Sequence, residues 1–160
     1  MSYRIKLSIE IEAPVERVWR ALCDPGEVAR WDPGVAEALD APVDYPRPGQ
    51  TVRWRTRSGG ELIDAVQEVE PPRRLRSVLV VDEVRIDETY ELTATERGCR
   101  VDCRLGAQMQ SAWTNAFLFL LIGPRIAMGS AVRASFQTSL AGLKRFCETE
   151  RDAHPTSTSG

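Results

Sequence analysis

Residues 13–35 read APVERVWRALCDPGEVARWDPGV, and this stretch decides the fold. A helix starts at Pro14, where a missing N–H costs nothing, and Asp24-Pro25-Gly26 stops it. A second short helix runs to Trp31 before Asp32-Pro33-Gly34 stops that one too. Val15, Val18, Trp19 and Leu22 share one helical face. Each piece carries one tryptophan, Trp19 and Trp31, a large aromatic investment for such small elements.

Upstream, YRIKLSIEIE (3–12) alternates Ile5, Leu7, Ile9 and Ile11 with Lys6, Ser8 and Glu10, the period of a half-buried strand. Downstream, from Val35 to about Leu105, strands follow one another with short turns. TVRWRT sets Val52, Trp54 and Thr56 on one face and Arg53, Arg55 and Arg57 on the other. Ser58-Gly59-Gly60 supplies the positive φ a hairpin needs. ELIDAVQEVE follows, with Ile63, Ala65 and Val69 as its more apolar face, and Pro71-Pro72 ends it. RLRSVLVV, VRIDETYELTATE and CRVDCRLGAQ complete an antiparallel meander. A long helix is expected from about Ser111 to Glu148, kinked or split at Gly123-Pro124. Its inner face holds Phe117, Leu121, Met128, Val132, Phe136, Leu143 and Phe146. One helix cannot cover the concave face of so long a sheet. The two short helices therefore fill one end beneath it, with Trp19 and Trp31 as plugs for the core and for an opening.

The 160 residues suit one domain over 1–149, with 150–160 expected as a disordered tail. A net charge of -2 gives no overall pull toward nucleic acid or an acidic membrane. The N-terminus lacks the apolar core of a secretory signal, and the run from Ala116 to Ile122 is too short to span a bilayer. A cytoplasmic protein without stable membrane insertion is expected. Cys23, Cys99, Cys103 and Cys147 lack metal-site spacing and read as buried reduced thiols. The one histidine, His154, lies in the tail, which argues against Ser-His-Asp or Cys-His chemistry and a histidine-rich metal site. No metal or other cofactor is implied.

The order strand, two short helices, six strands, long helix resembles the helix-grip fold of the START/Bet v 1-like (SRPBCC) superfamily, an α+β architecture. More narrowly it resembles the polyketide cyclase/dehydrase and lipid-transport family. The likeness rests on IEIEAPVERVWRALCDPGEVARWDPGV, on VEPPRRL at Val69–Leu75 and on SLAGLKRFCE at Ser139–Glu148. These sit at turns and packing positions, so they speak for fold more than for reaction. Members include aromatase/cyclases, lipid and quinone carriers, hormone receptors and chaperone activators. The resemblance implies a cavity between sheet and long helix that takes a hydrophobic small molecule.

Any catalysis must then use carboxylates, tyrosines, arginines, hydroxyls, thiols or backbone groups. Strict alternation in VRIDETYELTA puts Glu88 on the apolar face with Val84, Ile86, Tyr90 and Leu92. A carboxyl there has its pKa raised and suits a general acid or base; otherwise it pairs with an inward arginine or sits at a wet rim. Tyr90 is a donor to a ligand carbonyl or a satisfied core aromatic. Trp54 and Thr56 face inward, with Gln67 and Ser77 as further polar lining; in the opposite register Asp64 replaces Gln67. Trp31, Trp113, Asn115 and Phe117 fall near the expected mouth, and Leu121 and Met128 along the helix lining. AFLFLLIG is wider than one buried stripe, which suits a cavity wall, a homodimer surface or membrane contact during lipid exchange. The arginines of TVRWRTR and PPRRLR have acidic neighbours and no interleaved aromatic, which favours a solvated face over nucleic-acid binding. Two functions remain: a cyclase- or dehydratase-like enzyme, and a non-catalytic carrier or sensor of a lipid, quinone or aromatic compound. A docking module would instead need a large exposed apolar patch.

Overall fold

The computed structural model describes residues 2–82, 84–109 and 124–152, without the side chains of 2, 3, 109, 124–128 and 150–152. Strand β1 (Ser2–Ile11) is followed by α1 (Val15–Cys23) and α2 (Pro25–Trp31). Six strands come next: β2 (Val35–Asp40), β3 (Thr51–Thr56), β4 (Glu61–Glu70), β5 (Arg74–Val81), β6 (Val84–Thr95) and β7 (Gly98–Met109). Helix α3 (Pro124–Asp152) is the last element among the described residues. The rest of the expected helix, 111–123, lies outside the described residues.

All neighbours in the sheet are antiparallel, in the order β1-β7-β6-β5-β4-β3-β2. The sheet is curved and grips α3, the α+β helix-grip architecture. Its concave face supplies Ile5 and Ile11 from β1, Leu75 from β5, Ile86 and Leu92 from β6, and Val101 and Leu105 from β7. Phe136, Leu140, Leu143 and Cys147 of α3 pack on this face. Spaced by four, three and four residues, they form one helical stripe. All four cysteines are buried and none is in a disulfide, and burial raises the Cys23 thiol to about 12.

The two short helices follow from local chemistry. Asp24 ends α1 and caps α2: its Oδ1 accepts from the Gly26 N–H at 2.8 Å and the Glu27 N–H at 3.3 Å, with Pro25 in the first turn. Asp24→Ala should therefore cost about 1 kcal/mol, read as a lower urea midpoint at unchanged slope. Trp31 fixes the angle between the helices by donating its Nε1–H to the Ala21 carbonyl at 2.8 Å. Trp19 packs half-buried against the main core and Trp31 lies deeper, so both act as plugs.

On β4 the apolar face differs from the sequence reading. Leu62, Asp64 and Val66 point inward, while Ile63 is exposed and Gln67 is solvent-facing. The cause is a bulge at Gln67. Val66 pairs with Ser77 and Glu68 with Arg76, which leaves Gln67 without a partner. The extra residue reverses the alternation, so Val69 packs against the core although Val66 does too. Val69 had suggested the wrong parity for the residues before it.

On the opposite face the arginines meet carboxylates: Arg55 and Glu37 at 2.8 Å, Arg74 and Glu68 at 3.5 Å, and Arg53 and Glu61 at 3.7 Å. Gly59, at φ 93°, makes the β3–β4 turn that the sequence places there. Among the described residues no helix is long and apolar enough to cross a membrane.

Candidate functional site

A cavity of about 300 Å³ lies between the sheet, the end of α2 and α3. Its walls are largely apolar and aromatic: Leu22, Val28, Trp31, Trp54, Leu79, Ile86 and Phe136. Such a volume is at the small end of ligand pockets.

Polar groups enter from the sheet. Glu88 of β6 faces inward because it falls in step with Ile86 and Tyr90, and it is only 6 % exposed. Its cross-strand partner on β5 is Ser77, 1 % exposed, whose hydroxyl donates to Glu88 Oε1 at 2.8 Å. One strand further, Asp64 of β4 is 8 % exposed and stands diagonally from Ser77, since Val66 pairs with Ser77 and Asp64 with Leu79. Asp64 Oδ2 accepts from the Tyr45 hydroxyl at 3.1 Å.

Burial dominates the electrostatics. Desolvation raises Glu88, the charge of Asp64 raises it further, and the Ser77 and Tyr90 hydroxyls offset part of this; the carboxyl is pushed up to about 8. Asp64 is raised to about 6 by desolvation, with the Ser77 and Tyr45 hydroxyls opposing. The two form a linked pair in which Glu88 holds its proton more strongly. Tyr90 and Tyr45 are both raised by burial and by nearby carboxyls, so they act as O–H donors rather than phenolates. At the end of α2, Asp32 Oδ1 accepts from the Gly34 N–H at 2.7 Å and the Ser139 hydroxyl at 3.2 Å, tying that corner to α3. Burial raises Asp32, while these two donors and the charge of Arg57 work against the rise.

Of the residues expected at the site, Glu88, Tyr90, Trp31, Trp54 and Thr56 line the cavity, and Ser77 lies just behind it on Glu88. Gln67 does not. Its side chain points to solvent and donates to the Ala65 carbonyl at 3.2 Å, and Asp64 takes the inward place that the opposite register gave it. Trp113, Asn115, Phe117 and Leu121 fall outside the described residues, as does the side chain of Met128. The sequence reading missed Asp32, Tyr45, Phe136 and Ser139 as cavity lining. Tyr45 had one signal, a lone aromatic inside the proline- and glycine-rich loop APVDYPRPGQ. Phe136 was placed on the inner helix face but not at the cavity.

The profile of the family described as "Polyketide cyclase / dehydrase and lipid transport" matches residues 2–148. None of the curated proteins matches the chain. Solved structures share the fold. A START superfamily protein from Mycobacterium smegmatis has a TM-score of 0.72 at 14 % identity, over 92 % of this chain and 98 % of that one. An AHSA1-like protein from Aeromonas hydrophila has 0.68 at 20 %, over 98 % and 100 %. DynU16, of the dynemicin biosynthetic locus, has 0.68 at 19 %, over 92 % of this chain and 48 % of its own. With the family profile spanning nearly the whole chain, and the gripped helix and its cavity in place, the protein belongs to the polyketide cyclase / dehydrase and lipid transport family.

Proposed function

We propose that the cavity binds a hydrophobic or aromatic small molecule and that Glu88 performs acid–base chemistry on it, of the kind needed for cyclisation or dehydration. The observation that carries this reading is a carboxyl buried in a cavity wall with no arginine, lysine or histidine in that wall among the described residues. An inward arginine would have made Glu88 half of a structural ion pair. Instead its surroundings keep it protonated near neutrality, the state required of a general acid.

For a β-hydroxy ketone the steps balance. Glu88 gives its proton to the ligand hydroxyl, the C–O bond breaks and water leaves. The proton on the carbon next to the carbonyl returns to the Glu88 carboxylate as the C=C bond forms. In this reading Tyr90, which lines the same cavity and keeps its O–H, donates to the carbonyl oxygen. Holding one conformer of a flexible chain in a cavity this small supplies further acceleration.

The test uses 4-hydroxy-4-phenylbutan-2-one, whose loss of water gives a conjugated, absorbing ketone. The wild type should accelerate its appearance, and Glu88→Gln should lose about a hundredfold or more of that rate while still binding. A wild type that binds the compound and leaves it unchanged would support the second reading, a carrier of lipid, quinone or aromatic compounds. That reading draws on the apolar part of the same wall.

A further inference from the structure

The cavity is unbalanced in charge. Asp32, Asp64 and Glu88 stand in its wall, and among the described residues no basic side chain does; Arg57 acts on Asp32 from outside it. The stretch 110–124 carries no charged residue at all. Elsewhere the protein pairs its carboxylates, as with Arg17 and Glu27 at 2.6 Å or Arg104 and Glu91 at 2.8 Å.

Asp64 is the sharpest case. Tyr45 satisfies Oδ2; the Ser77 hydroxyl, near enough to oppose the rise of Asp64, gives its one proton to Glu88 Oε1, so the buried Oδ1 has no hydrogen-bond partner among the described residues. An orphaned buried acceptor is costly, more so when charged, and a ligand donor that meets it recovers that energy. Trp31, Trp54 and Phe136 line the same cavity, and aromatic rings attract a cation. Among the described residues no three acidic, thiol or imidazole groups converge tightly enough to hold a metal ion. The acidic groups are spread along a wall, with Asp64 rather than the protonated Glu88 as the charged partner at pH 7, which suits an organic cation on an apolar body.

We propose that the ligand of this cavity carries a basic nitrogen, bound as its ammonium form on an aromatic or apolar skeleton, with Asp64 Oδ1 as its acceptor. This rests on the reading of the cavity as the binding site and narrows the class of molecule it takes. A neutral donor can meet Asp64 Oδ1 but lacks the charge attraction of an ammonium, and an anionic ligand faces repulsion from the Asp64 carboxylate.

Three indoles of nearly equal size make the test on the full chain at pH 7: tryptamine, tryptophol and indole-3-acetate, measured by calorimetric titration. Tryptamine should bind at least tenfold more tightly than tryptophol, and indole-3-acetate most weakly. In Asp64→Asn the tryptamine-to-tryptophol ratio should fall below threefold. The comparison on the wild type stands whether or not the variant folds. Tryptophol or indole-3-acetate binding as well as tryptamine overturns the inference. A neutral fluorescent probe, N-phenyl-1-naphthylamine, separates the two levels. If it binds while the indoles show no preference for the amine, only the charge inference falls. If neither it nor any indole binds, the cavity reading falls as well.

Discussion

Gly142→Ala is expected to lower the melting temperature by about 5–10 °C, the equivalent of roughly 2–3 kcal/mol in a chain of this size. Two effects oppose each other. Alanine in a helix interior is favoured over glycine by about 1 kcal/mol. A Cβ at 142, however, would lie 2.3 Å from the carbonyl oxygen of Trp31, which is backbone and cannot rotate away. Overpacking of this kind costs typically about 1–3 kcal/mol, and a contact this short belongs at or above the upper end. Sterics win. The displacement has a direction, since Trp31 ends α2 and both it and Asp32 line the cavity. Pushing α2 off α3 strains the Asp32–Ser139 hydrogen bond and should weaken binding of a neutral probe along with stability. Ala141→Gly, at an exposed position one residue away, loses only the propensity term of about 1 kcal/mol. A Gly142→Ala protein as stable as the wild type would mean that the two helices have slack where they cross.

The same contact shows how much was legible beforehand. Strand alternation and the Asp-Pro-Gly breaks are local signals, and they located β1, α1, α2 and the inward face of β6, Glu88 included. Chain order then limited the sheet to a meander with the long helix across it. Non-local facts were not legible. Nothing near Gly142 says that the carbonyl of Trp31 will rest on it. Asp32 reads as a helix stop, and only the folded chain brings Ser139 to it. The β4 register failed for a definite reason: Val69 and Leu62 both face the interior, and one unpaired residue, Gln67, reconciles them. A period-two reading has no place for that residue. Leu62 and Val66 were the better guide, and they carry Asp64 inward with them.

Glu88→Gln is expected to stabilise the protein, and increasingly so as pH rises. In the folded state the Glu88 carboxyl is raised from 4.5 to about 8 by burial and by Asp64, whereas in the unfolded chain it titrates near its ordinary value. Between those limits the native state holds a proton that the unfolded state has released. Stability therefore falls as pH rises from about 5 to about 8, by at most about 1.4 kcal/mol per pH unit, and levels off above. Asp64, raised to about 6, contributes in the same direction over a lower and narrower range. Glutamine mimics the protonated carboxyl and can still accept from the Ser77 hydroxyl, so it removes the Glu88 part of this slope. The two proteins should unfold alike at pH 5. At pH 8.5 the variant should be more stable by about 3 kcal/mol, once water entry and relaxation around a charged Glu88 are allowed for. Urea unfolding at half-unit intervals from pH 5 to 9 measures it, and parallel curves would sink the account. A glutamate held for stability would show the reverse, with the variant weaker at every pH. A carboxyl that weakens its own fold near neutrality has the signature that the acid–base role proposed for Glu88 calls for.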